Sequence, residues 1–404
     1  MQLFKKPILR IASLTFLAMF NLTFVVPSIK EIVVDRFDTT TTMASLFITI
    51  EMIAYIIFGV VWGALSDKRG ERRIFIVIGF LGSAMLYYMM TLAPDLTTLF
   101  VMRFMQGAMT VMAWSLLMTL AMDMSHSDSR GAYMGIIGAA LALGMGLGAP
   151  IGGLVADHGV LLPLYAASAV FVLATVLSIM FVKDIPIRSK AESLVQSIRH
   201  LYRDSEARAP YLFSFAERFS AGYLVVLLPL YLAYEFDSSP GVRGMYLAAF
   251  LLPFALLQYH FGKLSDRYGR EWMLLIGGFA YAALLGTLCF VTIDALFALM
   301  VVSGALAAML LPASLGLLAD IVPRGEHATF MGGFNAFGSL GFAIAPLLAV
   351  GLSEWVGYQL SLVTGAAIIA VTVALTIPTL FPGKEEIDGE SPELNLYEMQ
   401  HEDD

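Results

Sequence analysis

Cysteine, charge and long polar stretches are what this chain has least of. Its one cysteine, Cys289, lies within an apolar run, so neither a disulfide framework nor a cysteine metal site is available. Only 14% of the residues are charged, against roughly a quarter in a soluble domain, which argues against a water-soluble enzyme. Nothing resembles a nucleotide-binding loop, so ATP hydrolysis is not the expected energy source. The net charge of −8 is local: nine carboxylates fall between Pro382 and Asp404 beside Lys384 alone, and the rest of the chain carries 23 cations and 23 anions. The acidity therefore belongs to a tail, expected to be disordered, and gives no reason to expect a nucleic-acid partner.

What is abundant is apolar sequence, 58% of 404 residues. Twelve membrane spans of about 20 residues would take about 240. Twelve apolar runs can be counted, near 8–34, 43–65, 74–93, 97–121, 131–155, 161–182, 210–234, 242–264, 272–291, 294–319, 328–352 and 357–381. The first follows Lys5, Lys6 and Arg10, but it is too long for a signal peptide and eleven more follow, so it reads as a retained span. Alternating the loops puts 19 of the 24 Lys and Arg residues on one side, with Lys30, Arg36 and Arg243 on the other and Arg103 and Arg218 inside spans. The positive-inside rule then predicts cytoplasmic termini. The expected fold class is all-α integral membrane, with six-helix halves at 1–182 and 210–381. A basic linker, 183–209, joins them, and its Leu194, Ile198 and Leu201 predict a short interfacial helix; the acidic tail is 382–404.

The halves repeat a loop. Gly63-Ala-Leu-Ser-Asp67-Lys-Arg-Gly70 follows the second run, and Gly262-Lys-Leu-Ser-Asp266-Arg-Tyr-Gly269 follows the eighth, 199 residues later. Glycines there allow tight turns between packed helix ends, and the aspartates with flanking cations, Arg72 and Arg270 among them, can form ion pairs that change with conformation. The fourth run holds Arg103-Phe-Met-Gln106-Gly107, and the fifth holds Gly135, Gly144, Gly148, Gly152 and Gly153 with Pro150. Small residues let helices approach closely, and the proline bends or loosens the span.

On these motifs the chain resembles the major facilitator superfamily over its whole transmembrane body. The family's loop motif, G-x-L-a-D-r-x-G-r-k, is met twice, although Glu71 and Glu271 stand at family cation positions. The family's antiporter motif in the fifth span is matched at all five glycines, with Ala149 where the proline belongs and Pro150 one residue late. The eleventh run keeps a worn copy in Gly332, Gly341 and Ala345-Pro346. Within the family the chain looks most like twelve-span drug:proton antiporters. That resemblance implies two halves rocking about a midplane site and an acid in the seventh span. Many relatives also carry an acid in the first span, where this chain has Asn21 with Thr23 and Ser28.

Four charges inside apolar runs need a reason, because each costs a few kcal/mol in a bilayer: Glu51, Arg103, Glu217 and Arg218. Glu51 and Arg103 lie at similar depths, about 12 Å and about 9 Å from their span ends, which permits a pair. Either it fixes helix packing, or Arg103 tunes a titrating acid or meets substrate. Arg103 shares a helical face with Gln106, Gly107, Thr110 and Trp114, a polar stripe suited to a cavity wall. Met102, Met105, Met109 and Met112 lie on other faces, so packing or lipid contact explains them better than a metal. Glu217 continues through Ser220, Leu224, Leu228 and Tyr231, while Arg218 turns about 100° away. Burial opposes a carboxylate's charge and a nearby cation favours it, a competition that suits a proton carrier; a structural Arg–Glu network is the plainer reading. Glu51 shares a stripe with Tyr55, Phe58 and Trp62, which suits a lipophilic cation or simply faces lipid or a neighbouring helix.

The expectation is a secondary transporter in the cell membrane, exporting an amphipathic or lipophilic compound in exchange for protons. Glu217 and Glu51 would be the coupling acids, and Asn21, Gln106, Thr110, Trp114, Ser220, Tyr231 and Tyr55 would line the cavity. Arg103 and Arg218 serve either as charge partners or, in an alternative importer or facilitator, as ligands of a small anionic metabolite. A non-transporting receptor or scaffold is a remote third reading. The expected partners are the bilayer, the small-molecule substrate and protons, in a monomer with no catalytic residue, metal or cofactor.

Overall fold

In lipid every backbone polar group has to be satisfied within the chain, which leaves helices and closed barrels. A computed structural model describes residues 7–124, 130–184, 207–321 and 327–381, and among these there is no strand. The helices are α1 (Pro7–Phe24), α2 (Thr41–Arg69), α3 (Arg73–Thr91), α4 (Leu96–Met124), α5 (Arg130–Ala156) and α6 (Leu162–Phe181), then α7 (Arg208–Phe236), α8 (Pro240–Tyr268), α9 (Arg270–Thr287), α10 (Ile293–Ala307), α11 (Leu310–Ile321), α12 (His327–Ala374) and α13 (Ile377–Leu380). The expected linker helix and acidic tail lie outside the described residues.

Among the described residues ten helical segments, Ile293–Ile321 counted as one, are long and apolar enough to cross a membrane, against twelve runs counted in the sequence. Two local features account for the difference. Helix α12 runs through both of the last runs, although Gly357 inside it has φ 82° and ψ 163° and breaks the helical path. Helix α9 opens on Arg270, Glu271 and Trp272, which dilutes an 18-residue helix. The tenth run is also divided, into α10 and α11. Pro312 lies in the first turn of α11 and has no N–H to give the Ala308 carbonyl, so the helix restarts there. The first run ends early: α1 stops at Phe24, and a 3₁₀ turn at Val26–Ser28 and a π turn at Lys30–Asp35 complete it.

The outside of the bundle is apolar, with Ile57, Met85, Val172, Met180, Ile276 and Leu375 all exposed, as a lipid-facing surface requires. The inside is close-packed through glycine. A Cβ at Gly144, Gly148 or Gly152 of α5 would collide with the carbonyl oxygens of Phe16, Phe20 and Phe24 of α1 respectively. The fifth-span glycines therefore form the seat of α1. Gly153 turns to α8 instead, where a Cβ would collide with the Pro240 carbonyl oxygen. Pro150 lies within the continuous α5.

Candidate functional site

Glu51 of α2 and Arg103 of α4 meet in the interior, 1% and 0% exposed. Arg103 Nη2 donates to Glu51 Oε2 at 2.5 Å, and Nη1 donates to Gln106 Oε1 at 2.7 Å and Tyr87 Oη at 3.0 Å. The guanidinium also stacks over the Phe47 ring, 4.4 Å from its centroid. Glu51 Oε1 accepts from Tyr55 Oη at 3.1 Å and from Gln106 Nε2 at 3.3 Å. Gln106 Nε2 further donates to Thr110 Oγ1 at 2.6 Å, which is hydrogen-bonded to Ser83 Oγ. Gly107 makes the approach of α4 to α2 possible, since a Cβ there would lie 3.0 Å from Glu51 O. Buried charges persist when paired and fully hydrogen-bonded, and this pair is both.

The stripe read from the sequence thus comes together as a network for Glu51, Arg103, Gln106, Thr110 and Tyr55. Trp114 only borders it, its ring 6.1 Å from that of Tyr55 and its indole N–H without a partner among the described residues. Trp62 donates to Ala108 O, and Met109 packs on Gly79 and Gly82 of α3. Tyr87 was missed. The signal available was Ser83, Tyr87 and Thr91, polar residues four apart on one face of the third run.

Glu51 also borders a narrow cleft of about 10 Å³ with Leu22, Thr23, Val26, Ile48, Met52, Met145, Val225 and Phe342, room for about one water. The cleft joins residues from before position 185 and after position 206. Asn21 does not reach it: its Nδ2 donates to Ala167 O of α6 at 2.9 Å, and its Oδ1 has no partner among the described residues. Thr23 donates to Met145 O.

Glu217 of α7 is 6% exposed, and among the described residues its Oε2 has no hydrogen-bond partner. Ser220 Oγ donates to the Glu217 backbone carbonyl at 2.7 Å. Arg218 turns away, as its helical position requires, and its Nη2 donates to Asn335 Oδ1 of α12 at 2.8 Å. Tyr281 of α9 is buried beside Ser220 and within electrostatic reach of Glu217. A lone tyrosine in an apolar run gave no signal for it. Tyr231 is elsewhere: it borders a cleft of about 510 Å³ with Glu235, Phe236, Phe290, Val291, Thr292 and Gln359, its ring 5.8 Å from that of Tyr358.

In the repeated loops, Gly70 and Gly269 have φ 72° and 95°, the conformation for which glycine was expected there; among the described residues nothing lies within 4 Å of where a Cβ of Gly63 would stand, and Pro312 lies 3.4 Å from that of Gly262. Asp67 lies near the end of α2, with its side chain outside what is described. Arg72 is buried beside Ser66, and the backbone N–H groups of Arg72 and Arg73 both donate to Asp184, at 2.7 and 2.9 Å. In the second loop Arg270 bridges Asp266 at 3.2 Å and Asp320 at 3.0 Å. Gly316 leaves the room for it, because a Cβ there would collide with Arg270 Nη1.

A Major Facilitator Superfamily model matches this chain twice, over residues 11–216 and 210–395. The chain belongs to the Major Facilitator Superfamily. An uncharacterised MFS-type transporter of Methanocaldococcus jannaschii is 25% identical over 374 residues, covering 89% of this chain and 94% of the relative. The quinolone resistance protein NorA of Staphylococcus aureus is 24% identical over 346 residues, covering 84% and 88%. Among solved structures, a bacterial homologue of the human lysosomal transporter Spinster, inward-facing and unoccupied, superposes with a TM-score of 0.78 at 14% identity over 93% of this chain and 96% of its own. The nucleoside transporter NupG does so at 0.74 and 13% identity, over 93% and 99%. This facilitator is therefore a multi-pass membrane transporter, with a small molecule as its substrate and the bilayer as its surroundings.

Proposed function

We propose that this transporter exports an amphipathic or lipophilic compound in exchange for protons, by alternating access, with Glu217 as the coupling acid. The observation that carries the reading is the unpartnered Oε2 of a buried carboxylate on α7. An acid with an oxygen outside any network can take up and release a proton without dismantling its surroundings. Glu51, bonded at both oxygens, is the anchored member of the pair of acids. The likeness to the quinolone resistance protein supports export of a drug-like cargo.

We further read twelve spans in two halves: Gly357 divides α12, and α9 supplies the remaining span. The family model's two successive matches support that division. The basic loops put the repeated motifs and both termini in the cytoplasm.

The competing reading, an anion carrier using Arg103 and Arg218, is disfavoured because Arg103 is already committed to Glu51, Gln106 and Tyr87. The test is Glu217→Gln in proteoliposomes with an imposed pH gradient and a lipophilic cationic dye. Gradient-driven dye movement is expected to be abolished with the protein still folded. Undiminished movement would remove the assignment.

A further inference from the structure

Among the described residues, the side-chain bonds between the chain before residue 185 and the chain after residue 206 gather at one end of the bundle, the end opposite the repeated loops. There Asp157, just past the end of α5, holds the start of α8. Its Oδ1 accepts from Gly241 N at 2.9 Å and its Oδ2 from Ser239 Oγ at 3.3 Å. A Cβ at Gly241 would collide with Asp157 Oδ2, so the glycine is what lets the carboxylate sit. Glu354 of α12 does the same to α2 in the reverse direction: its Oε1 accepts from Thr42 N at 2.8 Å and Thr41 Oγ1 at 2.7 Å. Each part of the chain thus contributes one carboxylate to a helix N-terminus of the other. Backbone N–H groups at a helix start lack partners within the helix and carry the positive end of its dipole, so they favour an anion.

The arrangement repeats with the sequence. Helices α2 and α8 begin at Thr41 and Pro240, 199 residues apart, the same offset as the loop motifs, and Asp157 and Glu354 are 197 apart. Between the two caps, Arg243 of α8 reaches back to the first part of the chain. Its Nη1 donates to Glu31 Oε2 and Pro27 O, both at 3.0 Å, and its Nη2 donates to Glu31 Oε1 at 2.7 Å. Asp157 and Glu354 are themselves exposed at the surface, where an exchange between helix start and water is cheap enough to be reversible.

We propose that Asp157 and Glu354 are a reciprocal pair of helix-capping latches that hold this end of the transporter shut and release when it opens. The proposal rests on the alternating-access reading above, but its test needs no substrate. A reporter thiol is introduced by Val26→Cys in a Cys289→Ser background. Val26 is buried beside Val225 and Phe342 in the cleft between the two parts. A membrane-impermeant maleimide is then applied to the face carrying Asp157, in right-side-out or inverted vesicles. Asp157→Ala and Glu354→Ala should each speed labelling roughly threefold, and the two together about tenfold, the scale of one helix-dipole contact apiece. The amide variants Asp157→Asn and Glu354→Gln keep an acceptor and should fall between native and alanine rates. A native labelling rate in the double alanine variant overturns the latch. Should that variant fail to fold, native rates in both single variants overturn it equally. Labelling that responds as expected while Glu217→Gln leaves gradient-driven transport intact would keep the latch and remove the proton-carrier assignment.

Discussion

Glu51 and Glu217 are both carboxylates buried on transmembrane helices, yet the first is bonded at both oxygens by Arg103, Tyr55 and Gln106, and the second has an oxygen with no partner among the described residues. Burial alone therefore says little about what an acid does. A buried ion pair with its remaining valences satisfied is expensive to disturb, because removing one partner strands the other charge. An acid held by packing rather than bonding carries no such penalty, and its protonation can change without a rearrangement of neighbours. The difference comes from what surrounds each acid: Glu51 meets Arg103 and Gln106 of α4, whereas the cation beside Glu217 in sequence, Arg218, acts on it only through space and donates to Asn335 instead.

The strongest test of that contrast is Arg103→Met. Leaving Glu51 buried and unpaired should cost about 3–5 kcal/mol, read as a large fall in thermal unfolding temperature of the detergent-purified protein. The double variant Glu51→Met/Arg103→Met should recover most of the loss, since no charge is stranded. Equal loss in single and double variants would show that the pair is not the unit of stability. Tyr55→Phe comes next: it removes one donor from Glu51 and should cost about 0.5–1.5 kcal/mol, with a loss near zero indicating that Gln106 alone suffices. Glu217→Gln should shift unfolding by less than about 1 kcal/mol, because no hydrogen bond to Oε2 is lost. A loss on the scale of Arg103→Met would place Glu217 in a structural network after all. The smallest effect is expected for Asn335→Ala, whose exposure limits its bond to Arg218 to about 0.5 kcal/mol; a larger fall would mean that Arg218 is held for a structural reason.

Much of the site could be read from spacing. The Glu51–Arg103 pairing followed from matched depth along two spans, and the face shared by Arg103, Gln106 and Thr110 followed from the helical period. Tyr231 was assigned to the Glu217 stripe by the same period and ended in a different cleft, because a stripe 14 residues long leaves the middle of the bundle. Asn21, read as cavity-lining, is turned to α6 by its bond to Ala167. Neither Tyr87 nor Tyr281 could be assigned a role, since each acquires one only from a neighbour on another helix.

The sequence by itself determined that this is a helical membrane protein, where its apolar runs fall, that it carries an internal repeat, and which charges are misplaced in lipid. Those properties depend on composition, period and local backbone preference, all of which act within one helix. The tertiary structure alone decided which buried acid is bonded, that Asp157 and Glu354 cap helices from the opposite part of the chain, and that Asp184 caps α3. Each of these caps depends on a backbone N–H more than eighty residues away in sequence, brought within 3 Å by packing, and no local pattern encodes such a distance.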